Sequence, residues 1–164
     1  DENPVKYDIP VEGDRVRRVR CEHVSELDRA RRTSDVAFHV GDACALDDLD
    51  AVKSEMFDGV VLSNLLCRLP DPLKCLDGIS ARVREGGVVA ITTPFTWLEE
   101  FTPRNRWLGG RAEDDESSFD ALTKAMKERN FTLRRQPFPM PLLIREHQRK
   151  YQYIVSEASV WEKR

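Results

Sequence analysis

The sequence predicts an α/β domain built on a mostly parallel sheet with helices on both faces. Three observations carry this. Short apolar runs of strand length alternate with stretches of helical periodicity, the order expected of parallel strands joined by crossover helices. Two of those runs, Val60-Val61-Leu62 and Val88 to Thr92, are continuously apolar, as in strands buried on both faces. The helical stretches carry their own start and stop residues.

The elements follow in order. Residues 1–35 form a poorly patterned lead-in, and 36–164 the patterned remainder. Arg15, Arg17, Arg18 and Arg20 partly alternate with Val16 and Val19, which suits an edge strand. Segment 24–34 is charged and reads as a loop or frayed helix. Val36 to Val40 is expected as a short strand with Val36, Phe38 and Val40 on one face, ending at Gly41-Asp42. Ala45 to Met56 has Leu46, Leu49, Val52 and Met56 near helical spacing and predicts a weak helix. Phe57 to Leu62 is the next strand.

Asp71-Pro72 begins a helix, with Asp as N-cap and Pro in the first turn. Leu73, Leu76, Ile79 and Val83 make its buried face, and Gly86-Gly87 stops it. Ser117 or Ser118 caps a further helix with Phe119, Leu122 and Met126 inward and Asn130 as C-cap. Phe131 to Arg135 is a strand. Residues 136–141 hold three prolines and cannot be a central strand. Residues 151–155 and 158–161 form a last strand with a bulge between. It has no helix before it, so it is expected to pair antiparallel at one edge.

Composition narrows the function. The chain has 164 residues, about one domain, of which 40% are apolar and 34% charged. A net charge of −3 gives no electrostatic case for nucleic acid or an anionic membrane. No apolar run approaches the roughly 20 residues of a membrane span. Cys21, Cys44, Cys67 and Cys75 are scattered without a CxxC, so a reducing, cytoplasmic setting without disulfides is expected. Cys21-Glu22-His23 lacks a second ligand pair, and no metal is expected there. Gly-x-Gly-x-x-Gly, P-loop, Gly-x-Ser-x-Gly and HExxH patterns are absent.

The most informative stretch runs from Gly86 to Gly110. A strand leads into a loop dense in aromatics, carboxylates and Thr, at the place where α/β sheets bind ligands. Together with Gly41-Asp42-Ala43-Cys44, Ile144-Arg145-Glu146, Arg149-Lys150 and the tail Glu157 to Trp161, it resembles the methyltransferase domain of the ovothiol-biosynthesis enzymes, a family of 4-mercaptohistidine methyltransferases.

The resemblance implies a class I methyltransferase (Rossmann-like) sheet and S-adenosylmethionine as cofactor. It places Asp42, Ala43 and Cys44 at the adenine, and Asn64, Leu65 and Leu66 at the methionine part. The family's Gly-rich turn and its ribose-binding acid would precede residue 1, so the first two strands and their helices are expected to be missing from this chain. The chain alone is then expected to bind the cofactor weakly or not at all and to be inactive. An iron-dependent region would lie upstream, and no iron site carries over.

The implied substrate is a sulfur-bearing histidine derivative. Methyl transfer from a sulfonium needs in-line orientation, which alone supplies roughly 7–11 kcal/mol of the barrier. A zwitterionic acceptor calls for a cation, a carboxylate and aromatic walls. Arg145 and Glu146 offer the two charges. Phe95, Thr96, Trp97, Glu99 and Glu100 offer a wall and lid. No catalytic acid or base is assigned. His147 beside Arg145 and His39 on a sheet face are read as ordinary histidines, and Glu113 to Glu116 as a solvated loop. The rival reading is a non-catalytic remnant or interaction module of the same fold. A methyltransferase for another small molecule is a third.

Overall fold

The computed structural model describes residues 6–20, 36–113 and 115–164. The Cys21–His23 pair and the loop expected over 24–34 fall outside them. The chain divides into two compact units, Asp1–Phe38 with Leu142–Ile154, and His39–Pro141 with Val155–Arg164.

In the first unit, strands β1 (Lys6–Glu12) and β2 (Arg15–Arg20) form an antiparallel hairpin. Gly13, at φ +51°, takes the left-handed conformation that a two-residue turn needs. Asp8 and Arg18 face each other across the ladder in a two-pronged pair at 2.9 and 2.8 Å. The distal halves of strands β6 (Phe138–His147) and β7 (Lys150–Lys163) complete this unit. The Gln148 amide donates to the Pro10 carbonyl.

The second unit holds a five-stranded sheet. β3 (Phe57–Ser63) runs parallel to β4 (Val83–Thr93), β7 is antiparallel to β4 and to β5 (Phe131–Leu133), and β6 pairs β7. Helix α1 (Pro72–Ser80) and helix α2 (Ser118–Glu128) pack on the sheet through a common core. That core includes Leu62, Leu66, Leu76, Val89, Ile91, Leu122, Met126 and Trp161.

Both helices start where their sequence says. The Asp71 carboxylate accepts from the Lys74 amide, with Pro72 at the first turn, and the Ser117 hydroxyl accepts from the Asp120 amide. Asn130, at φ +63°, ends α2 in the left-handed conformation.

Several expectations are corrected. Val36 to Val40 is not a strand. No neighbour hydrogen-bonds to it among the described residues, and Phe38 and Val40 are 93% and 100% exposed. Alternation gives a sequence a strand face, but a strand exists only in a ladder.

Residues 45–56 are not a helix beyond a single 3-10 turn at Leu46–Asp48. Asp47, Asp48 and Asp50 make a poor helix sequence. The buried Arg82 guanidinium collects the Val52, Lys53 and Gly78 carbonyls and the Asp47 carboxylate, holding the segment as turns.

Helix α1 ends at Ser80 rather than at Gly86-Gly87, and Val83 already belongs to β4. Leu73 lies exposed, so Cys75, Leu76 and Ile79 make the inner face. β3 is buried on one face only: Leu62 is inside, while Val61 is 73% exposed. The last strand is continuous, without a bulge against β4, and sits between β4 and β5 instead of at an edge. Pro139 and Pro141 are tolerated in β6 because, among the described residues, it pairs with β7 alone. Among the described residues, no helix is long and apolar enough to cross a membrane.

Candidate functional site

β3 and β4 end side by side, and the chain leaves each through a left-handed residue that is not glycine. Asn64 follows β3 at φ +52° and Phe95 follows β4 at φ +50°. Such a backbone costs of order 1–3 kcal/mol and persists only where its surroundings hold it. Here they do. The Asn64 amide donates to the Thr92 carbonyl at 2.8 Å, and its side-chain Oδ1 accepts from Ser156 Oγ at 2.7 Å. The Phe95 amide donates to Thr93 Oγ1.

The two exit loops are stitched together. Arg68, after β3, donates to the Thr96 carbonyl at 2.6 Å and to Thr96 Oγ1 at 3.1 Å. Leu65 stays half-buried beside the core, and Leu66 is fully buried in it. Asn64, Leu65, Phe95 and Thr96 thus share one rim at the carboxyl ends of parallel strands.

Asp42, Ala43 and Cys44 form a turn on the same unit. Asp42 Oδ1 accepts from the Cys44 amide at 2.8 Å, the self-bonded geometry of a short acidic residue in a turn. Cys44 Sγ reaches the carbonyl of Asp71 at 3.3 Å, fastening the turn to the start of α1. Burial pushes the Cys44 thiol up, and burial pushes Cys75 up to about 12, so both are protonated packing groups. Cys67 is buried as well.

The aromatic loop is more architectural than its composition implies. Trp97 is buried, donates from Nε1 to Ser118 Oγ at 2.9 Å, and stacks on Trp107 at 6.4 Å. Trp107 Nε1 bonds the Thr102 carbonyl, and the buried Thr102 hydroxyl bonds the Leu69 carbonyl. Gly109, at φ +59°, lies so close to Ser117 that a Cβ would stand 2.5 Å from its carbonyl oxygen. Trp97 is therefore a pillar under the rim, Phe95 and Thr96 lie on it, and Glu99 and Glu100 occupy an exposed turn beyond.

Arg145 and Glu146 belong to the first unit. Successive residues of β6, they point to opposite faces of the strand. Arg145 lies over the Tyr151 ring at 5.8 Å. Glu146 is bound by Lys150 at 2.6 Å and by Gln152, and these hydrogen bonds hold its carboxyl below the usual range.

Sequence reasoning missed Arg68, Ser156 and Glu157. Arg68 is positioned by the Thr96 loop and the other two by β7 lying against its neighbours, contacts between distant segments that leave no local pattern. No group of three metal-ligating side chains occurs among the described residues.

Comparisons with known proteins agree with this architecture. An S-adenosylmethionine-dependent methyltransferase from Methanosarcina mazei has a TM-score of 0.50 and 16% identity, over 84% of this chain and 76% of that one. A structure described by the conversion of a disulfide bond into a thioacetal group during echinomycin biosynthesis has a TM-score of 0.52 and 17% identity, over 84% and 60%. TehB from Haemophilus influenzae has a TM-score of 0.50 and 11% identity, over 85% and 45%. The chain therefore spans less than two thirds of the latter two. No curated protein matches it. The fold is that of the class I, Rossmann-like methyltransferases. The sequence model of the methyltransferase domain matches residues 5–136, and the chain belongs to that family.

Proposed function

We propose that the chain works as an S-adenosylmethionine-dependent methyltransferase domain, with a sulfur-bearing histidine derivative as methyl acceptor. The observation that carries the cofactor reading is the rim itself. Two adjacent parallel strands end in left-handed, hydrogen-bonded non-glycine residues, at the position where open α/β sheets bind ligands.

The residues present fit part of the cofactor. Asp42, Ala43 and Cys44 would meet its adenine, and Asn64 and Leu65 its methionine portion. The sequence holds no Gly-x-Gly-x-x-Gly pattern, and no Gly-rich turn follows a strand among the described residues. When bound, the cofactor supplies an electrophilic methyl. The chain's own part is to orient and to exclude water, with Trp97 and Trp107 holding the rim in place beneath Phe95. Arg145 makes no ion pair among the described residues and is our candidate for holding an acceptor carboxylate. The acceptor class rests on the sequence of the Thr93–Gly110 loop.

The test is an NMR titration of the full chain with millimolar S-adenosylhomocysteine. Shifts should gather at Asp42, Ala43, Cys44, Asn64 and Leu65, and vanish in Asn64→Ala. Shifts elsewhere, or none at saturation of solubility, overturn the cofactor reading. Mercaptohistidine added alone tests the acceptor.

A further inference from the structure

Beside the rim, β6 and β7 enclose a cleft of about 240 Å³, lined by Pro137, Phe138, Pro139, Val155, Ser156 and Glu157. We propose that this cleft is a subsite for a cationic nitrogen, an alkylammonium or imidazolium group of a small molecule, with the Glu157 carboxylate as its counter-ion.

Register places it. Glu157 on β7 is directly opposite Thr93, the last residue of β4, so both side chains emerge on the same face. Thr93 Oγ1 accepts from the amide of Phe95, the residue where the chain turns onto the rim. The preceding residue, Ser156, donates to Asn64. Glu157 therefore stands one strand over from the exit of β4, on a strand that lies between two others in the sheet.

Its chemistry is incomplete. Glu157 Oε1 is shielded from solvent and has no hydrogen-bond partner. No cation pairs with Glu157 among the described residues. The nearby guanidinium of Arg135 lies over the Phe138 ring at 4.0 Å instead. A shielded carboxylate oxygen left without a donor is costly, and such groups in native structures call for an explanation. A bound N–H donor supplies one. Neutral donors would satisfy the oxygen, but a cation also answers the charge. Burial pushes the Glu157 carboxyl up, as expected of a site whose counter-ion is not built in. The cleft is too small for a whole cofactor and suits one end of an acceptor.

Only the naming of that ligand as a methyl acceptor rests on the function proposed above; the cleft stands on its own geometry. The experiment follows the Glu157 side-chain carboxyl by 13C NMR in the full chain, titrated with imidazolium chloride, methylammonium chloride and, at matched ionic strength, sodium chloride. The two nitrogen cations should shift the Glu157 resonance saturably while sodium does not. Glu157→Gln, which keeps the shape, should weaken imidazolium binding at least tenfold at the neighbouring Ser156 and Phe138 amides. Equal affinity in Glu157→Gln overturns the proposal. So does an equal response to sodium, or one no larger at Glu157 than at exposed Glu99 and Glu100. If Glu157→Gln does not fold, the wild-type comparison of cations decides. S-adenosylhomocysteine shifts at Asn64 without imidazolium shifts at Glu157 would remove the subsite alone. The reverse pattern would remove the cofactor reading alone.

Discussion

Cys75 shows what burial does to a single group. Its thiol is fully enclosed and pushed up to about 12, from an ordinary 9.0. A raised pKa gives stability that is fully present below pH 9 and is lost as pH rises toward 12, because the unfolded thiol ionises first. The loss reaches about 1.4 kcal/mol by pH 10. Cys75→Ala should therefore flatten the fall in melting temperature between pH 8 and 10, even though the variant starts lower. An unchanged slope would assign the alkaline loss to other groups. Arg145 carries a second residue-scale prediction. If it holds an acceptor carboxylate, Arg145→Ala should weaken mercaptohistidine binding by about 1.5–3 kcal/mol, the size of a hydrogen bond to a charged group. Lys at that position should restore only part, lacking the two-pronged fork. Glu146→Gln should change little, since that carboxylate is already taken by Lys150 and Gln152. A loss below about 1 kcal/mol for Arg145→Ala would mark it as a solvated strand residue.

At the scale of elements, Arg82 decides the shape of residues 45–56. It is 4% exposed and reaches three carbonyls and the Asp47 carboxylate. Arg82→Ala leaves three carbonyls without their donor, while the exposed Asp47 carboxylate returns to water, and should cost about 1–3 kcal/mol. Chemical denaturation measures it, and faster amide exchange over 45–56 would place the damage. This residue also explains what could be read from the sequence. Elements governed by local chemistry were legible: the caps at Asp71 and Ser117, the left-handed Asn130, and the cores of β3 and β4. Elements governed by distant partners were not. The apolar spacing over 45–56 resembles a helix because nothing local reveals a guanidinium arriving from residue 82. Val36 to Val40 alternates like a strand, but alternation cannot supply a neighbour. At the site, Asp42 and Asn64 sit at a turn and a strand end as their types imply. Trp97 went to the core because Ser118 and Trp107, both outside its local pattern, give its indole N–H an acceptor and its ring a stacking face.

For the molecule as a whole, the apolar backbone that has no ladder partner among the described residues bears on solution behaviour. β3 is the terminal strand of its sheet path, with Val61 73% exposed, and Phe38 and Val40 are almost wholly exposed in a segment without ladder bonds. An open, apolar strand edge templates pairing with other chains. A net charge of −3 over 164 residues opposes that association only weakly. The chain should bind a hydrophobic dye and scatter light increasingly with concentration, with a broad thermal transition. Two changes separate the causes. Val61→Lys places a charge on the β3 edge and should reduce scattering. Phe38→Lys with Val40→Lys should reduce dye binding while leaving far-UV circular dichroism unchanged, since that segment contributes no secondary structure. Should the wild-type chain instead give a sharp, reversible transition as a monomer with no dye signal, these surfaces are covered in solution. The Val61→Lys variant would then lose stability rather than gain solubility, because the charge would be forced under whatever covers the strand.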